Sequence, residues 1–184
     1  MMGLNGLPAL QPYSGYSNNK KEQSPEHTML EKCKDAKERW GGVSQIIDNW
    51  LDERQTLISL YVHLPEHPID DQLNDNIAGF CQVMMDYLSF GHFEVYEQLL
   101  LEGHEYNDGS LENAQALLPK IQNTTDIALD FNDDCAQRMQ FSVQSIREFS
   151  EKLSRLGEAL EERFELEDQM IQILHTSHRD VVTG

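Results

Sequence analysis

Apolar residues recur along this chain at spacings of three and four, the period of an amphipathic helix, from Met29 almost to the C-terminus. A first short helix is predicted over about Leu30 to Trp40, and Gly41-Gly42 breaks it. A second runs from about Val43 to His63, with Ile46, Ile47, Trp50, Leu51, Leu57, Ile58 and Tyr61 on one face, and Pro65 and Pro68 end it. A third starts near Asp70-Asp71, acidic residues that suit a helix N-terminus, and carries the stripe Leu73, Ile77, Phe80, Met84 and Leu88. Gly91 permits a kink or break there, after which Phe93 to Glu102 is helical again. A fourth begins near Ser110, a good cap, and is expected to kink or pause at Pro119. The last runs from about Ser142 to His175 on the seam Ile146, Phe149, Leu153, Leu156 and Leu160.

No stretch alternates with period two for long enough to predict a strand, and no internal repeat is present. The fold class is therefore all-α: an antiparallel helical bundle of about five to six helices. Residues 1–28 mix Gly, Pro, Ser and Asn with few apolar side chains and are expected to be a flexible leader, with the bundle domain over 29–184. Met1 and Met29 are both candidate starts of translation; with Met29 the leader would be only an upstream reading.

Charge narrows the class of partner. Thirty-two acidic residues against fourteen basic ones give a net charge of −18. The leader's Lys20, Lys21, Glu22 and Glu26 cancel, so the excess sits on the predicted bundle. Such a field repels nucleic acid and anionic lipid and attracts basic surfaces. No apolar run reaches the roughly 20 residues that span a bilayer. Cys33, Cys81 and Cys135 are odd in number and never form a C-x-x-C pair, which points to a reducing compartment. A cytoplasmic protein with no membrane and no direct nucleic-acid contact is expected.

Catalytic and metal chemistry find little support. Ferritin-like bundles hold metal through Glu-x-x-His pairs. The residues three places before the histidines here are Ser24, Leu60, Leu64, Ser89, Leu101, Gln172 and His175, with no glutamate among them. His92 invites a histidine-phosphotransfer reading, but the following Phe93-Glu94-Val95-Tyr96 offers no cation to steady a phosphate. The plainer alternative is a histidine at a helix break bonding a nearby carbonyl. No phosphate loop, dinucleotide fingerprint or nucleophile elbow occurs. A metal-binding or phosphotransfer bundle remains the rival; no enzyme, metal or cofactor is expected.

Two places break the helical pattern. Opposite the third helix's apolar stripe lie Gln82, Asp86 and Ser89, and a helix continuing past Gly91 would bring Phe93 to the same side. An aromatic there, beside a carboxylate and a hydroxyl, has the make-up of an interface anchor. If Gly91 instead breaks the helix, Phe93 turns into the core, which composition alone favours. In the last helix the seam extends through Arg163 and Glu167 to Met170 and Leu174. That places an i, i+4 polar pair inside an apolar stripe: a buried pair fixing helix register, or a charged groove facing a partner. The structural reading is preferred. The neighbouring Glu158, Glu161, Glu162, Glu165 and Asp168 are expected on a solvated face.

At these residues the chain resembles a known family. Phe80 to Leu100 (FCQVMMDYLSFGHFEVYEQLL) is similar to the central segment of the Rsd/AlgQ anti-sigma regulators, with its F-C-Q-x-x-x-D-Y-L-S-x-G-H-F-x-x-Y-E core. Cys33 to Gln55 resembles the AlgQ-side members and Leu156 to Ile171 the family's last helix, so the likeness spans Met29 to about His175. The resemblance implies a helical bundle without enzymatic activity that binds the primary sigma factor of RNA polymerase. The contact would be with its basic C-terminal region 4, blocking core polymerase and −35 promoter DNA and favouring alternative sigma factors in stationary phase. It implicates Asp86, Ser89 and Phe93 in that contact, with Gln82 and His92 beside them, and so favours the exposed reading of Phe93.

Overall fold

A computed structural model describes residues 25–42, 44–68, 71–105, 108–137 and 143–174. Most of the expected leader, the Asp70 start of the third helix, and His175 and His178 lie outside them. The described residues form seven α-helices and no strand: α1 Pro25–Trp40, α2 Gln45–His63, α3 Asp71–Phe90, α4 Tyr96–His104, α5 Ser110–Gln115, α6 Leu118–Gln137 and α7 Val143–Leu174. The chain is all-α. Between α3 and α4 a single π-helical turn, Gly91–Val95, keeps the two in one continuous rod.

The breaks have local causes. After α1, Gly42 adopts φ 79°, a left-handed conformation that glycine takes without penalty, and its N–H donates to the Asp48 carboxylate at 2.8 Å. Pro65 lies in a 3₁₀ turn, Leu64–Glu66, that closes α2 and drops Leu64 into the core. The pause expected at Pro119 falls slightly earlier, between α5 and α6. Pro119 thus occupies the first turn of α6, where its missing N–H costs nothing.

Four helices build the core, alternating in direction. Tyr61 of α2 meets Phe80 of α3, Phe80 meets Phe131 of α6, and Phe131 meets Phe149 of α7, with ring centroids 5.7–6.3 Å apart. The ring closes where the Tyr61 hydroxyl donates to the Leu153 carbonyl of α7 at 3.2 Å. Trp50, Leu51, Leu57, Met84, Ile121, Leu156 and Ile171 fill the middle, all essentially inaccessible. The helix α1 packs on the outside of α2, and Lys32 ties it to Glu161 and Glu165 of α7 at 2.9 and 2.7 Å. Both carboxylates are thus partly engaged within the chain, yet these exposed pairs add little stability.

Two glycines within helices should respond oppositely to the same change. A Cβ on the buried Gly157 would run into the Tyr61 hydroxyl, whereas one on Gly79 would meet nothing within 4 Å. Gly157→Ala should cost about 1–3 kcal/mol through overpacking, and Gly79→Ala should add about 0.4–1 kcal/mol. Urea unfolding of the two variants against the parent checks both signs.

Candidate sigma-factor-binding face and its buried support

The face singled out by sequence stands on α3 and the π turn. Gln82, Asp86 and Ser89 are exposed and fall within an arc of about 60° at 100° per residue. The Gln82 amide donates to both oxygens of Asp86, at 3.0 and 3.1 Å, which holds that carboxylate in place. Phe93 is 75% exposed, so the alternative in which Gly91 turns it into the core does not hold. Gly91 does not break the rod. It is buried itself, and a Cβ there would press on Trp50 Cζ2 and the Tyr96 hydroxyl, both at 3.2 Å.

Charge gathers around Phe93. Glu53 of α2 stands near Asp86 and Glu94, and its Oε2 is buried. Burial pushes the Glu53 carboxyl above its ordinary value, and the charges of Asp86 and Glu94 raise it further. The exposed Phe93 thus shares its helical rod with Asp86, Glu94 and the exposed Ser89.

His92 does not share that exposure. Its ring lies edge-on against Tyr96, centroids 5.2 Å apart, and its Nε2 is 3.2 Å from Thr125 Oγ1. The Thr125 hydroxyl gives its proton to the Ile121 carbonyl, so His92 must be the donor, through an Nε2–H tautomer. The expected carbonyl partner is therefore replaced by a hydroxyl. Burial, with the Arg163 charge, lowers the pKa of His92 and keeps it neutral.

Thr125 leads into a buried network centred on Glu167. Arg163 Nε donates to Glu167 Oε1 at 2.7 Å, and both side chains are fully inaccessible. Tyr96 donates its hydroxyl to the same oxygen at 2.6 Å while accepting from Arg163 Nη2 at 2.8 Å. The other half mirrors this arrangement. Tyr87 donates to Glu167 Oε2 and accepts from Arg54 Nε at 3.1 Å, and Arg54 Nη2 reaches Oε2 at 3.2 Å. Arg163 Nη1 continues to Thr124 and Thr125 at 3.3 and 2.8 Å.

Arg54 completes the balance of charge. It bonds Asp168 at 2.6 Å, and its guanidinium lies over the rings of Trp50 and Phe164, 5.4 and 5.0 Å from their centroids. Asp168 is therefore a half-buried ion-pair partner, which corrects its placement on the solvated face. Two arginines and two acids make the cluster neutral overall, as a buried set must be. Burial drives both tyrosine pKa values well up, so they stay protonated donors.

The π turn has a geometric purpose here. At 100° per residue an unbroken α-helix would place Tyr96 about 180° from Tyr87. The wider turn at Gly91–Val95 acts like one inserted residue and brings that angle to about 80°, so both hydroxyls reach Glu167. The same turn leaves Phe93 outside. Sequence reasoning placed the Arg163–Glu167 pair but missed Arg54, Tyr87, Tyr96, Thr124 and Thr125. Among them only Arg54 carried a signal, a cation one turn beyond Trp50 on an otherwise apolar face.

Glu167→Leu leaves the buried Arg163 without a carboxylate, takes one of Arg54's two acids, and should cost about 3–5 kcal/mol in urea unfolding. Hydrogen exchange at the Gly91–Tyr96 amides should accelerate more than in α6. Glu53 gives a pH test. Its raised pKa means its contribution is most favourable below the unfolded-state value and is lost as pH rises through the folded one. Glu53→Gln should therefore melt higher than the parent at pH 7, with the gain vanishing below about pH 4.

Among the described residues no helix is long and apolar enough to cross a membrane, and no three His, Cys, Asp or Glu side chains are grouped to hold a metal ion. The sequence model of the family described as "Regulator of RNA polymerase sigma(70) subunit, Rsd/AlgQ" matches residues 29–175. Curated relatives named "Regulator of sigma D", from Salmonella paratyphi B and Salmonella newport, are 35% identical over 159 residues. Those alignments cover 83% of this chain and 95% of each relative. With its helical fold and the matched string around Phe93, the chain belongs to the Rsd/AlgQ family of sigma(70) regulators.

Proposed function

We propose that this protein is an anti-sigma regulator that grips region 4 of the primary sigma factor in the cytoplasm and hides its surfaces for core polymerase and −35 DNA. The observation that supports the reading is Phe93, three-quarters exposed on the same continuous rod as the exposed Asp86 and Ser89. An apolar anchor of this size is costly to leave in water and gains most when a partner's pocket desolvates it. Region 4 is a basic helix-turn-helix, so the carboxylates of Asp86, Glu94 and Glu53 meet a complementary field.

The division of labour follows from physics. The net charge of −18 speeds encounter with a basic domain and screens away in salt. Phe93, with Asp86 and Ser89 around it, sets how long the complex lasts. A shift of polymerase toward alternative sigma factors, as the family resemblance implies for stationary phase, would follow from sequestering the primary one.

Calorimetric titration against isolated region 4 tests the proposal. Phe93→Ala should weaken binding by about 2 kcal/mol or more, roughly thirtyfold, as anchor truncations do. Asp86→Lys should weaken it further and flatten its salt dependence. Unchanged affinity in the folded double variant would sink this surface.

A further inference from the structure

Two of the three cysteines face each other. Cys81 of α3 is 6% exposed, Cys135 of α6 is half-buried against the core, and the Cys135 side chain lies within hydrogen-bonding reach of Cys81. The helix register agrees independently. From the His92–Thr125 contact, the way back along α3 to Cys81 is about 16 Å and the way on along α6 to Cys135 is about 15 Å, at 1.5 Å per residue. In this antiparallel pair the two thiols therefore stand within roughly a helical turn of one another along the axis. Phe80 and Phe131, in contact beside them, bring the helices together there.

We propose that Cys81 and Cys135 form a reversible disulfide site that closes in the presence of a peroxide. The reaction balances simply: two S–H bonds and the peroxide O–O bond break, one S–S bond forms, and two molecules of water leave. The thiols are oxidised by two electrons and the peroxide is reduced. One sulfur takes an oxygen from the peroxide as a sulfenic acid, and the other displaces that oxygen as water to close the bond. Cys33 is the internal contrast. Burial raises its thiol pKa and no other cysteine faces it among the described residues.

The bond would join α6 to the residue directly before Gln82, at the root of the exposed face. Where thiols are otherwise kept reduced, such a bond is transient and reports oxidant; it does not brace the fold permanently.

Intact-mass measurement of the full chain after treatment with hydrogen peroxide decides the matter. The expected product is about 2 Da lighter, carries one maleimide-reactive thiol after denaturation, mapped to Cys33, and returns to three thiols with dithiothreitol. Cys135→Ser, checked for folding by circular dichroism, should lose the 2 Da shift. Three reactive thiols after peroxide, oxygen adducts with no loss of 2 Da, or an unchanged shift in Cys135→Ser would each overturn the proposal.

Discussion

Glu167 is fully buried and has four hydrogen-bond donors. Each of its oxygens takes one tyrosine hydroxyl and one arginine, and these four side chains come from α2, α3, α4 and α7. A carboxylate buried this deeply is tolerable only when its lone pairs are filled and its charge is matched, so the four helices are tied to one relative position. The helix α6 joins through Thr124 and Thr125. The exposed face depends on this arrangement, because the residue that carries Phe93 sits between the tyrosines that must reach inward.

The two sides of the π turn are thus linked by geometry. His92 and Tyr96 point to the network and Phe93 points away, within five residues of one helical rod. A straight α-helix could satisfy one tyrosine or the other. Gly91 permits the turn because Trp50 and Tyr96 occupy the space a side chain would need. The acidic surroundings of Phe93 pull the other way. Glu53 is held near Asp86 and Glu94 at a cost to the folded state, which is the pattern expected where surface charge serves a partner in preference to stability.

Much of the fold could be read from periodicity. The helix boundaries at Gly41-Gly42, Pro65 and Ser110 carried strong local signals, and the structure places breaks there. The π turn did not, since a glycine between two apolar stripes is equally compatible with a kink, a break or a widened turn. Phe93 was ambiguous for the same reason. The Arg163–Glu167 pair was legible because it interrupts a 3-4 seam within one helix. Arg54, Tyr87 and Tyr96 were not, because their role arises only when four helices meet, and tyrosines on an apolar stripe look like ordinary core. Asp168 was misplaced because its helical position borders the solvated face, while its arginine partner comes from α2.

An apolar core of equal volume could match or exceed the stability of this polar cluster, so stability alone does not account for it. Its distinctive property is direction. Apolar packing would accept a straight rod, slid or rotated by a residue, with Phe93 at a different angle. Paired hydroxyls on a single carboxylate accept one register, and that register requires the π turn. The consequence for binding is entropic. An anchor whose backbone is already fixed loses less freedom when it docks, so more of its buried area is expressed as affinity. Under the proposed grip on sigma factor, the buried network would therefore strengthen binding without touching the partner, by holding Phe93 in the orientation from which it is used.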